Sequence, residues 1–235
     1  MKVRHFKSAD YRVMPWKNGR GETLQLLILP EGSEFPPDSS HDGFLWRISA
    51  APVIETSEFS QFPGYDRLLA IWEGKGLRLS SSGQKSDVTL LKNQVIHFSG
   101  DDATTAHLLA DSVRDFGVIF KRGVVAATLK AFSFARNGAK STASFSHQSG
   151  KPGPGSVHSR SICYLFCAEG RVQIRTPLKS FELQTEEMLS LEESGNRSHD
   201  ESDVSRSSGD QSGPLIQFES LAPQSRIFQV VISIL

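Results

Sequence analysis

Apolar residues along this chain come in short runs of strand length, separated by clusters of Gly, Pro, Asn, Asp and Ser, and sustained 3.6-residue periodicity is almost absent. The runs predict strands over 24–29, 44–53, 67–72, 77–81, 88–91, 95–99, 105–109, 116–121, 129–135, 161–168, 172–176, 181–184, 188–191, 215–219 and 227–234. That pattern is all-β. About fifteen short strands exceed what one small barrel uses, which makes an internal repeat the natural next question.

A repeat is present. LAIWEGKGLRL from Leu69 resembles LFCAEGRVQIR from Leu165, QVIHF from Gln94 resembles EMLSL from Glu187, and RDFGVIF from Arg114 resembles RIFQVVI from Arg226. The matches keep their order, at offsets of 96, 93 and 112, so the last interval carries an insertion. A polar low-complexity stretch, Ser194 to Gly213, supplies it and reads as a flexible surface loop. The expected organisation is two tandem units, residues 1–124 and 125–235.

Composition narrows the function classes. The 235 residues carry 26 basic and 26 acidic side chains, which argues against a nucleic-acid partner, because such partners select a basic excess or stripe. The N-terminal MKVRHFKSADYRV lacks the apolar core of a signal peptide, and no run is long enough to span a bilayer. A soluble, cytoplasmic protein without membrane attachment is expected. Cys163 and Cys167, four residues apart in one strand, lie about 13 Å apart at roughly 3.3 Å per residue, too far for a disulfide. Both are expected to be reduced and partly buried.

The stretch FSQFPGYDRLLAIWEGKG, Phe59 to Gly76, ends a strand in Glu-Gly-x-Gly and resembles the end of the first motif of cupin barrels. Laid on the metal-binding form of that motif, it has Arg67 at the carboxylate position and Gln61 and Pro63 at the histidine positions. In the second half, Cys163, Val157 and Ser159 fall there. The resemblance therefore implies a metal-free bicupin, two tandem double-stranded β-helix (jelly-roll) barrels in one chain, with no cofactor.

More of the chain matches one family. MPWKNGRG (Met14 to Gly21), FLWRISAAPV (Phe44 to Val53), FSQFPGYDRLL (Phe59 to Leu69), EGKG (Glu73 to Gly76), FSGD (Phe98 to Asp101) and VRDFGVIFKRG (Val113 to Gly123) together resemble the HutD/Ves family. HutD members are associated with histidine utilisation and Ves members with stress or cold response. Two positions depart from the family pattern: Arg20 stands where many members have Gly, and Gly117 where Asn is common, which removes any ligand contact from that side chain.

Candidate site residues are polar groups in strands that are otherwise apolar. A period of two sets Phe44, Trp46 and Ile48 on one face and Arg47 and Ser49 on the other, leaving open whether Arg47 meets solvent or an interior. The motif match puts Arg67 inside the barrel, where a guanidinium calls for a carboxylate partner. Asp66, on the opposite strand face, is not expected to pair with it. Trp16, Lys17 and Asn18 form a turn at the barrel mouth, and Phe62 precedes the Arg67 strand. His97 reads as a core or pocket-edge hydrogen-bonder, and a hairpin about Asp102 would set it opposite His107. A two-histidine metal site there falls short of the three protein ligands that first-row metals usually take. The reading that follows is a binding protein for a small anionic metabolite, through Arg67, Arg47, Asn18, Lys17, Trp16, Ser49, Phe62 and His97, in a regulatory or stress-response role. By resemblance, the ligand is an acidic intermediate of histidine breakdown. The alternative is a metal-independent isomerase or epimerase with His97 as acid or base. A third reading makes the barrel a scaffold for protein interaction, and a homodimer is left open.

Overall fold

The computed structural model describes residues 1–15, 21–33, 43–144, 161–192 and 215–235. Among these, one 3-10 turn (Ser8–Asp10) accompanies twenty strands. They are β1 (Lys2–Phe6), β2 (Arg12–Pro15), β3 (Glu22–Leu29), β4 (Trp46–Ala50), β5 (Pro52–Val53), β6 (Ser57–Phe59), β7 (Tyr65–Glu73), β8 (Gly76–Ser81), β9 (Val88–Leu91) and β10 (Val95–Ser99). The second ten are β11 (Thr104–Leu108), β12 (Val113–Lys121), β13 (Val125–Phe134), β14 (Lys140–Ser144), β15 (Ser161–Glu169), β16 (Arg171–Arg175), β17 (Ser180–Gln184), β18 (Met188–Glu192), β19 (Leu215–Ser220) and β20 (Ser225–Ile234). The fold is all-β. No helix among the described residues is long and apolar enough to cross a membrane.

Four antiparallel sheets form. A large sheet runs β10-β7-β12-β4-β3-β2, with β5 paired to one end of β12, and a small one runs β6-β11-β8-β9. The second large sheet runs β1-β18-β15-β20-β13 and the second small one β14-β19-β16-β17. The orders correspond: β10-β7-β12-β4 answers to β18-β15-β20-β13, and β6-β11-β8-β9 to β14-β19-β16-β17. Register repeats as well. Leu69 pairs with Gly117 as Leu165 pairs with Gln229, and Arg67 with Ile119 as Cys163 with Val231. The expected division at 124/125 falls in the turn between β12 and β13, but β1 crosses it to pair with β18. The Ser194 to Gly213 insertion, and Val157 and Ser159, lie outside the described residues.

Burial explains why β7 and β15 read as unbroken apolar runs. Leu68, Ala70 and Trp72 point into one cluster shared with Ile162, Tyr164, Phe166 and Ala168, between the two large sheets. Leu69 and Ile71 point the other way, toward the first small sheet, and Cys163, Leu165 and Cys167 toward the second. The result is a four-layer stack, small-large-large-small, in which both faces of each large sheet are covered. Both cysteines are free and buried, and burial pushes each thiol up to about 12.

Turn chemistry fixes the repeat at its ends. Gly74 and Gly170 both adopt positive φ, +96° and +76°, and a Cβ on Gly170 would stand 2.2 Å from the Gln224 carbonyl oxygen. Gly170→Ala is therefore expected to cost about 2–4 kcal/mol, from the left-handed backbone and the forced shift together. Urea denaturation should show a lower midpoint at unchanged slope. A midpoint equal to wild type would mean that the turn yields freely.

Several sequence expectations change. The single strand expected over 44–53 breaks at Ala51, because the Ala51 N–H donates to Asp115 Oδ1 (2.9 Å) and its carbonyl accepts the Asp115 backbone N–H (2.9 Å). A hairpin about Asp102, the condition for setting His97 opposite His107, does not form: β10 pairs with β7, while β11 pairs with β6 and β8 in the small sheet. Gly100 directs that switch, since its N–H donates to the Tyr65 carbonyl (2.8 Å) and its own carbonyl accepts the Phe62 N–H (2.7 Å). His97 and His107 thus lie in different sheets. Strands β1, β2, β6 and β14 were not expected, and their pairing comes from the sheet edges they join.

Candidate functional site

The inner face of the first large sheet, turned toward its small sheet, carries a group of interior polar residues: Gln25, Arg47, Ser49 and Asp115, with the half-buried Arg67. Three neighbouring strands set it out in rows. Arg47 on β4 pairs with Ile119 on β12, which pairs with Arg67 on β7, so the two arginines flank Ile119 in one row. The next row is Ser49, Gly117 and Leu69. Beyond it Asp115 stands beside Ile71. In β3 a bulge between Gln25 and Leu27 brings Gln25 beside Ser49 on the same face.

Arg47 is 3 % exposed, so periodicity's open question is answered by an interior position. Its Nε donates to Gln25 Oε1 at 3.0 Å, and its Nη2 lies 3.8 Å from Met14 Sδ. Arg67 is half-buried. Its Nη1 donates to the Ser60 carbonyl at 3.1 Å, and its guanidinium carbon lies 4.8, 5.0 and 5.7 Å from the ring centres of Phe59, Phe98 and Phe62. No carboxylate pairs with Arg67 among the described residues. Burial lowers both guanidinium pKa values to about 10, and Arg67 further lowers that of Arg47.

Asp115, 7 % exposed, was not among the sequence candidates. Its one side-chain hydrogen bond among the described residues is the Oδ1 contact to Ala51, which leaves Oδ2 without a partner. Burial pushes its carboxyl up to about 6, against the lowering effects of the Ala51 N–H, Arg67, Arg47 and Arg114. In the unfolded chain the group titrates near 3.8, so the folded state holds the proton more tightly. Its contribution to stability is greatest below about pH 4 and is lost as pH rises through about 6. Asp115→Asn keeps the acceptor for Ala51 and removes the buried charge. It should stabilise the protein by up to about 3 kcal/mol at pH 8 and by almost nothing at pH 4, read from melting curves across pH. Equal gains at both pH values would show that the carboxylate carries no burial cost.

The other sequence candidates divide. Ser49 and Phe62 join Arg47 and Arg67. His97 does not: it pairs with Leu68 and so lies on the opposite face of the sheet from the Phe98–Arg67 pair. It is largely exposed, 3.6 Å from Asp66 Oδ2 and 6.1 Å from the Phe120 ring centre. Asp66 accepts instead from Arg122 Nη2 at 2.8 Å, in keeping with its expected independence from Arg67. Trp16, Lys17 and Asn18 lie outside the described residues. Among the described residues, no group of three or more His, Cys, Asp or Glu is placed to hold a metal ion.

The second half supplies an internal comparison. At the positions of Arg67, Gly117 and Asp115 it has Cys163, Gln229 and Ile227. Gln229, 2 % exposed, fills the centre, and its Nε2 donates to the Ser144 carbonyl (3.0 Å) and contacts Cys163 Sγ (3.5 Å). Its interior is plugged. In the first half a Cβ on Gly117 would meet only Leu69 Cδ1 at 3.8 Å and the Ser49 carbonyl at 3.9 Å within contact range. The signal for Asp115 and Gly117 stands in the sequence, in RDFGVIF set against RIFQVVI. Open depressions in the second half, one of them bordered by Phe132 and Phe134, hold Lys140 and Arg175, both already paired to Glu219 (3.8 and 2.9 Å).

Comparison with known proteins gives these residues a family context. The HutD family model matches residues 8–205. An uncharacterized 21.2 kDa protein in the hutC 3' region of Pseudomonas putida is 39 % identical over 116 residues, 48 % of this chain and 56 % of that protein. Protein Ves of Escherichia fergusonii is 37 % identical over 102 residues, 42 % of this chain and 49 % of that protein. The matched region thus spans about half the length of these curated relatives. A conserved protein of unknown function from Pseudomonas aeruginosa PAO1 shares the fold with a TM-score of 0.69 at 24 % identity, over 99 % of both chains.

Proposed function

The chain belongs to the HutD family, and from that premise we propose that it is a metal-free bicupin whose first unit binds a small anionic metabolite, with a regulatory role in histidine utilisation. The observation that carries this reading is the contrast between equivalent interiors: Arg67, Gly117 and Asp115 in one half, Cys163, Gln229 and Ile227 in the other. Interior arginines are costly to desolvate and are kept where a ligand rewards them. A carboxylate is the ligand group whose paired oxygens match a guanidinium fork. The two-unit reading draws support from the repeated sheet orders and registers. The regulatory setting draws on the hutC-region relative. An enzyme using His97 as acid or base loses support, because His97 and Arg67 lie on opposite faces of the sheet.

The test is a thermal-shift screen with urocanate, formylglutamate, formiminoglutamate and glutamate. A ligand that binds only the folded protein stabilises it by about 2.7 kcal/mol at a hundredfold excess over Kd. Stabilisation by one of these carboxylates, absent with its methyl ester, is the expected result. No shift with any carboxylate, together with an EDTA-reversible shift from a divalent metal, would overturn the reading.

A further inference from the structure

We infer that the ligand of this site is bifunctional: a carboxylate held by Arg67 and Arg47, a short chain lying across Gly117, and a cationic or N–H donor end held by Asp115. The inference rests on the anion-binding reading and adds the chemistry of the ligand's far end. Three independent features point to it.

First, the groups are in line. The row holding both arginines lies four residues along β12 from Asp115, about 13 Å at the backbone, and side-chain arms from each end shorten that distance. Gly117 is the only residue of β12 between them on this face.

Second, Gly117 keeps the middle open. Its missing side chain leaves space where the matching Gln229 of the other half places a hydrogen-bonded amide. Gly117 is not in the left-handed backbone region that would call for glycine on conformational grounds. What glycine supplies at this position is room.

Third, Asp115 is a buried acceptor with one oxygen unused. Ala51 occupies Oδ1, and Oδ2 has no hydrogen-bond partner among the described residues. Arg67, Arg47 and Arg114 offset the cost of burying its charge only in part, and a cation at Oδ2 answers both the remaining charge and the lone pairs. Burial raises its carboxyl pKa, a cost that a cationic group would reduce. A second carboxylate at that end would meet Asp115 with like charge.

Calorimetric titration at pH 7.5 with acetate, butanoate, 4-guanidinobutanoate and glutarate separates the parts. Wild type should bind acetate through the arginines, and 4-guanidinobutanoate at least about tenfold more tightly than butanoate or glutarate, the scale of one charge-assisted contact. Asp115→Asn should erase that preference. Gly117→Gln, which copies the plug of the second half, should weaken the longer three by at least about tenfold more than acetate. If Gly117→Gln fails to fold, Gly117→Ala serves, with a smaller loss confined to the longer ligands. Equal binding of butanoate and 4-guanidinobutanoate in wild type, with acetate bound, overturns the inference and leaves the anion site standing. No binding of acetate or any of the other three overturns both.

Discussion

Trp72→Ala should remove about 3–5 kcal/mol of stability, the range for truncating a fully buried tryptophan, and is the most damaging single substitution expected here. Trp72 is wholly buried between the two large sheets and meets Phe166 edge-on at 4.8 Å. Its indole N–H donates to the Ala168 carbonyl at 2.8 Å, so truncation leaves a cavity and an unpaired buried carbonyl together. The Arg114 guanidinium lies 3.7 Å from the ring centre and loses its platform. The Trp72 carbonyl, which accepts from Arg226 Nη2, survives the change. Trp72→Phe retains most of the ring packing and should cost about 1–2 kcal/mol, mainly through the orphaned carbonyl. Because the central cluster draws on both halves, urea unfolding of wild type and both variants should be one transition at shifted midpoints. Separate transitions for the two halves would contradict a shared core.

Arg67→Ala should weaken binding of a small carboxylate by about a hundredfold or more, as two hydrogen bonds to a charged group are lost. The same substitution should change stability by less than about 1 kcal/mol. Arg67 makes one hydrogen bond, to a loop carbonyl, packs on the faces of Phe59, Phe62 and Phe98, and its attraction to Asp115 is opposed by its own desolvation. Removing it also relieves the unfavourable proximity of two desolvated guanidinium groups. A large binding loss beside a small stability change separates a ligand contact from a structural one. Arg67→Lys should not restore affinity, because an ammonium lacks the planar fork that meets both carboxylate oxygens. Affinity within threefold of wild type in Arg67→Ala would remove this residue from the site.

Much of the fold is legible in the chain, for reasons specific to particular residues. Gly74 and Gly170 mark equivalent strand ends because each occupies a left-handed turn closed against backbone, and their spacing carries the repeat. The runs of β7 and β15 identify strands covered on both faces. Edge strands such as β1 (KVRHF) and β14 (KSTAS) are not legible, because their sequences are polar and their partners lie far away in the chain. The site is half legible. Arg47 and Arg67 stand out as charges within apolar runs. Asp115 sits beside Arg114 at the start of such a run and reads as an ordinary strand entry until Ile227 is set against it. His97 misleads because its face depends on pairing with Leu68, a fact of sheet topology that the local sequence does not contain.

We propose that a small carboxylate is held inside the first half by Arg67 and Arg47. Following the arginine side-chain Nε–H resonances of the wild-type protein by NMR, during titration with the carboxylate that stabilises it most, tests this directly. Assignments come from Arg67→Lys and Arg47→Lys. The Arg67 and Arg47 signals should move together and saturate, while those of Arg122 and Arg226, engaged elsewhere, stay in place. Saturable binding that leaves both the Arg67 and Arg47 signals unmoved would contradict it.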